Sequence, residues 1–301
     1  MRSPAVERPR PRGTHARAEP PQRALGLDWS GGAAARAKVW AAIIEGDALV
    51  QLWRPFAAPG SQEREPARGR VLLAARAIAD AFAPWLAAQR FDVAGFDFCF
   101  ALAAGQAARL GLSREPAAAG AQLALRFGDD ALAFRDAAGP EQRRATDTLR
   151  GAPFAPTNLR MFRQTFWGLR ALASVRDPIA PWSDGRRRIH EVLPRLRVTA
   201  LCGTCRYKDS GSRAERERLI SALRFQGLRI GAAQEAAALD DPEGDAVDAV
   251  LAALEARDAR RSGETAPAEA VLSGEGWIYT GSLSRDATSR AGPAFALPDC
   301  R

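Results

Sequence analysis

The chain has 301 residues, an ordinary apolar share of 47%, and a net charge of +8 that comes almost wholly from arginine, since Lys38 and Lys208 are its only lysines. That length and composition allow a sizeable buried core, exclude a fibrous or wholly disordered chain, and leave no apolar run long enough to cross a bilayer and no apolar signal segment. Four cysteines spread over such a length do not make a disulfide framework, so the expected setting is the cytoplasm, while the arginine excess favours polyanionic partners, nucleic acid first among them.

Residues 1–22 carry Arg2, Arg8, Arg10, Arg12 and Arg17 among prolines, with almost nothing apolar to bury, and read as a disordered basic tail. From Ala24 the pattern turns β-like: Ala24–Trp29, Ala37–Ile44 and Ala48–Trp53 are joined by short turns at Gly31-Gly32 and Glu45-Gly46-Asp47. Short links make antiparallel neighbours, hence a three-stranded meander. The first strand exits through Asp28 into Ser30-Gly31-Gly32, where a turn aspartate is ordinary chemistry. Pro66–Gln89 then places Val71, Leu72, Ala75, Ile78, Ala79, Phe82 and Leu86 at helical spacing, with a kink or break expected at Pro84.

Phe91–Phe98 is a second buried strand, again ending on a carboxylate, Asp97. The helix before it requires a crossover, so this strand runs parallel to the first and brings Asp97 to the same sheet edge as Asp28. Residues 101–157 are rich in Ala, Gly and Pro, with short helical fragments but without a clean period, and read as an insertion or lid within the same domain. A helix over Asn158–Ala173 puts Leu159, Phe162, Phe166 and Leu169 on one stripe and Arg160, Arg163 and Gln164 on other faces. Arg186–Leu193 reads as the next parallel strand and carries Glu191 near its end; its neighbour His190 must face the other way.

Beyond it lie Cys202-Gly-Thr-Cys205, which has too few partners nearby for a zinc site, then Tyr207-Lys208 and a charged helix from about Ser212 to Arg224. Asp240–Ala256 shows a legible helix start, with Asp241 as N-cap and Pro242 in the first position; Asp245 and Asp248 are three apart and share a face. Trp277-Ile278-Tyr279 suits a short edge element, and residues 286–301 form an uninformative tail. A single domain over about 23–285 follows, an α/β fold with a mixed five-stranded sheet flanked by helices.

Strands ending in Asp28, Asp97 and Glu191, followed by an acidic helix, resemble the ribonuclease H-like fold. Asp-Ala-Val-Asp-Ala at 245–249 looks like the acidic helix of its Holliday-junction resolvase branch. The segments Gly26–Gly31, Gly95–Phe98, Glu191–Pro194, Tyr207-Lys208 and Glu275–Tyr279 resemble more closely the ribonuclease H-like family catalogued as domain of unknown function 429. The resemblance implies a metal-dependent phosphodiester nuclease with two Mg²⁺ or Mn²⁺ ions: Asp28 bridging, Asp97 and Asp248 as terminal ligands, Asp245 or Glu191 as a further ligand or water-orienting base. Lys208, Arg143, Arg144 and Arg213 would then neutralise phosphate. Two other readings remain open at this point. One is a phosphotransferase of the actin and sugar-kinase type, which opens on a similar strand and Gly-rich turn but needs a second phosphate loop; the other is a non-catalytic nucleic-acid or nucleotide binder on the same fold. Oligomeric state is not written in the sequence.

Overall fold

A computed structural model describes residues 22–30, 38–57, 68–203 and 206–281, with 68–74 placed in a helix by their backbone alone. The expected N-terminal and C-terminal tails and Cys205 lie outside the described residues. The meander forms as expected, with β1 (Arg23–Asp28), β2 (Trp40–Glu45) and β3 (Ala48–Trp53) antiparallel in sequence. After the helix α1 (Arg68–Ala88), β4 (Val93–Asp97) pairs parallel to β1, and β5 (Arg188–Val192) pairs parallel to β4. The arrangement of these five strands is consistent with a ribonuclease H-like fold. Two further strands of two residues each, β6 (Arg229–Ile230) and β7 (Ile278–Tyr279), pair at opposite edges and give a seven-stranded sheet of order β6-β3-β2-β1-β4-β5-β7.

Period-two alternation divides the strands between two apolar layers. Leu25 and Leu27 of β1, Phe96 of β4 and Ile189 of β5 face one side. There they meet Ala75, Ile78, Phe82 and Leu86 of α1, a helix that runs on past Pro84 without a break. The short helical fragments expected in the 101–157 segment form as α2 (Ala104–Arg109), α3 (Pro116–Phe127), α4 (Ala131–Ala138) and α5 (Ala145–Arg150). Leu123 of α3 and Phe134 of α4 join α6 (Phe162–Leu172) in the same core. Each such fully buried Leu or Phe contributes about 1.5–3 kcal/mol.

The opposite face receives Ala24, Val93, Ala42 and Ile44, with α7 (Pro194–Cys202), α8 (Arg213–Phe225), α9 (Ala232–Asp240) and α10 (Asp245–Ser262) over them. A last short helix, α11 (Ala268–Ser273), precedes β7. The approach of α10 to the sheet depends on two glycines paired across β1 and β4, Gly26 and Gly95. A Cβ on Gly26 would lie 2.0 Å from the Ala249 carbonyl oxygen, and one on Gly95 would lie 2.3 Å from that of Ala252. Helix backbone therefore rests directly on strand backbone, which any side chain at these positions would prevent. This contact sets where the first turn of α10 arrives.

Candidate metal centre

Asp28 and Asp97 are direct partners in the parallel register of β1 and β4. Both share the parity of Gly26 and Gly95, so both project on the α10 face. Gln164 of α6 ties the two strand exits together, its Nε2 donating to the carbonyls of Trp29 and Asp97 at 2.7 Å each. From α10 come Asp245 and Asp248, three residues apart on one face. That helix starts at Asp245 and not at Pro242, because Gly244 takes a left-handed φ of 74° that breaks the chain path before it. Asp241 still caps the helix from a distance, its Oδ2 accepting from the Ala246 N–H at 2.8 Å.

Oxygens of Asp28, Asp245 and Asp248 lie within 4.8 Å of one another, and Asp97 lines the same cleft. Asp28 and Asp248 are 5% and 1% exposed. Burial, and then repulsion from Asp245, Asp248 and Asp97, push the Asp28 carboxyl well above its usual range, against the pull of Lys208. Asp97 is pushed up to about 8, first by burial and then by Asp248. Asp245 rises to about 7 for the same reasons, burial first, in spite of Lys208. Among the described residues, two groups answer this charge. The Tyr207 hydroxyl donates to Asp248 Oδ1 at 2.6 Å, and the Lys208 ammonium contacts Asp248 Oδ2 and stands 3.6 Å from Asp245 Oδ1.

Not every residue expected at the site reaches it. Glu191 pairs with Phe96, not with Asp97, so alternation sends it to the α1 face. There Arg144, which is fully buried, binds it through Nη1 at 2.8 Å and through a second, very short Nη2 contact, and also binds Asp147 at 2.7 Å. Neither Arg144 nor Glu191 lines the cleft. Arg144 is thus an internal counter-ion where the sequence suggested a phosphate contact. Arg143 is exposed, and its guanidinium donates to the Asp147 and Ala152 carbonyls. Arg213 pairs on the surface with Glu217 and Asp240 and does not itself line the cleft. Lys208 is the one expected phosphate contact found beside the aspartates.

The cleft itself, about 1460 Å³, is edged by Arg160, Arg163, Arg195 and Arg206 as well as Lys38. Arg195 and Arg206 went unnoticed in the sequence. Their only signal was flanking position, Arg195 just after the strand-ending Pro194 and Arg206 beside Tyr207-Lys208.

A family model described as "Protein of unknown function (DUF429)" matches residues 26–271, which span every carboxylate of the cluster. The chain belongs to the DUF429 family. No curated protein and no solved structure matches it. Among the described residues of this family member, no helix is long and apolar enough to cross a membrane.

Proposed function

We propose that this DUF429 protein is a metal-dependent phosphodiester nuclease acting on nucleic acid. The observation that carries the reading is the cluster of Asp28, Asp245 and Asp248, ligand atoms within 4.8 Å, on the floor of an arginine-edged cleft. An all-oxygen donor set suits a hard divalent cation, Mg²⁺ or Mn²⁺, and crowded carboxylates whose ionisation is suppressed by burial and mutual repulsion are what such a cation relieves. Asp28, Asp245 and Asp248 would hold one ion, and Asp97, the register partner of Asp28, would share Asp28 with a second. When bound, such ions lower the pKa of a coordinated water and stabilise charge on a phosphoryl group.

The protein's own groups have separable tasks. Tyr207 and Gln164 fix the orientation of the ligands, the first by its bond to Asp248 and the second by tying the strand exits. Arg160, Arg163, Arg195 and Arg206 offer flat, permanently charged forks along the cleft for successive backbone phosphates. The cleft exceeds the roughly 300–1,000 Å³ of a small-molecule pocket, which favours a polymer over a single metabolite. Action in the cytoplasm fits the buried free thiol of Cys99.

The test is a cleavage screen of the purified protein over single-stranded, duplex, hybrid and branched DNA and RNA with Mg²⁺ or Mn²⁺, beside Asp28→Asn and Asp248→Asn. Metal-dependent cleavage that drops by about 10²-fold or more in both variants is expected. Equal cleavage by the variants, or no cleavage and no metal binding by the wild type, overturns the reading. Nucleic-acid binding without cleavage would instead favour a non-catalytic binder.

A further inference from the structure

The two lysines of the chain both line the cleft, but they are held differently. Lys38 pairs with Glu243 at the rim. Lys208 reaches down to the aspartates, and its placement is built in by its loop. The Tyr207 ring and the Lys208 stem lie against Gly244: a Cβ there would be 2.8 Å from Tyr207 Cδ2 and 3.3 Å from Lys208 Cγ. Arg216, itself buried, donates to the carbonyls of Tyr207 and Asp209 at 2.9 Å each and to that of Pro242 at 3.3 Å, tying the lysine loop to the turn that precedes α10. The backbone around Lys208 is thus fixed from both sides. Its side chain is not, being 46% exposed and bordered by the open cleft.

The ammonium touches Asp248 Oδ2 and stands within 4 Å of Asp245, two of the three carboxylates whose oxygens converge. Those oxygens cannot be lent fully to an ammonium and to a divalent cation together, since the two positive charges would repel at short range. Resting on the metal-site reading above, we infer that Lys208 is a resident counter-cation: a divalent ion displaces it from Asp245 and Asp248, and the released ammonium turns into the cleft as a phosphate contact. Metal entry and anion binding are thereby coupled through one side chain. The metal-free protein keeps its aspartates partly neutralised, and it presents the lysine to substrate only once the ion is in place.

Having only two lysines makes the exchange directly observable. Reductive ¹³C-methylation preserves each charge and gives one side-chain signal per lysine, assigned with Lys38→Arg. On titrating Mg²⁺ into the full chain, the Lys208 signal is expected to move while that of Lys38 stays close to its place. Dimethyl phosphate added afterwards should move the Lys208 signal again, and should not do so without Mg²⁺. By calorimetry, Lys208→Met, which keeps the stem against Gly244, should bind Mg²⁺ roughly two- to fivefold more tightly than wild type, the factor with which a half-exposed ion pair competes. Lys208→Arg, which retains the charge, should return the affinity toward the wild-type value. Equal Mg²⁺ affinity in wild type and Lys208→Met, or a Lys208 signal that does not respond to bound Mg²⁺, overturns the inference and leaves the metal site standing. Absence of Mg²⁺ binding in both proteins overturns the metal site, and the inference with it.

Discussion

Two groups of carboxylates sit at the same end of the sheet, on its opposite faces, and the chain neutralises them differently. On the α1 face, Glu191 and Asp147 share the guanidinium of Arg144, and every arm of that group is used. Glu191 Oε2 also accepts from the Phe100 N–H at 2.9 Å, and Asp147 Oδ2 from the Arg144 N–H at 2.8 Å. Next to them Glu275 accepts from the backbone N–H groups of Ala104 and Ala145. On the α10 face, Asp28, Asp97, Asp245 and Asp248 share, among the described residues, one half-exposed lysine and one tyrosine hydroxyl. A buried acid that owns a rigid, bidentate counter-ion is committed to holding the fold. Acids short of positive charge, with solvent and an arginine-edged cleft beside them, are left to receive it from outside.

The largest effect should come from breaking the closed network. Arg144→Met would leave Glu191 and Asp147 buried without their cation, which costs about 3–5 kcal/mol and should lower the unfolding midpoint in a thermal or urea melt. Asp28→Asn, which removes charge from the open cluster, should not destabilise the metal-free protein. If both variants melt together, the contrast between the two faces is wrong.

How far this contrast could be read from the sequence depended on which feature decided it. The positions of Asp28, Asp97, Asp245 and Asp248 were legible, because strand exits and a first helical turn are marked by local pattern. Glu191 was assigned with them because it too ends a strand, and a register of one residue, Phe96 opposite Glu191, moved it to the other face. Register between parallel strands is fixed by packing across some ninety residues of chain, which no local pattern states. Arg143 and Arg144 look alike in sequence yet one is exposed and the other fully buried; the acid three residues on, Asp147 at the start of α5, was the available hint. The short edge element expected at Trp277–Tyr279 forms as β7, whereas β6, at two residues, is too short to show a period at all. The helices of 101–157 were legible only as short fragments, without bounds or faces, because alanine supports a helix without marking its face.

An intermediate effect should come from supplying the missing charge. Mg²⁺ or Mn²⁺ that binds the folded cluster and not the unfolded chain stabilises by about 2.7 kcal/mol at a hundred times its dissociation constant. Differential scanning fluorimetry should show this upward shift in the wild type and in Glu191→Gln, with both midpoints compared to their own metal-free values. It should be absent in Asp248→Asn. A shift that survives loss of Asp248 but not change at Glu191 would reverse the roles assigned to the two faces.

The smallest effect concerns pH, and its sign separates the faces most finely. Asp97 has a folded pKa of about 8 against an ordinary value of 3.8, so between those limits the folded state holds a proton that the unfolded chain has lost. Its contribution to stability is therefore complete below about pH 4 and is lost as pH rises through about 8. Asparagine mimics the neutral acid at every pH. Metal-free Asp97→Asn should accordingly melt close to wild type at pH 4 and above it at pH 8 to 9, by about 1–2 kcal/mol, since removing one member relieves only part of the repulsion in a coupled cluster. Saturating Mg²⁺ should abolish that advantage or reverse it, because the ionised Asp97 then has a cation to face and asparagine offers it less. Should Asp97→Asn be the less stable protein in metal-free buffer at pH 8, the α10-face acids would already be satisfied within the chain, as Glu191 is, and the difference between the two faces would disappear.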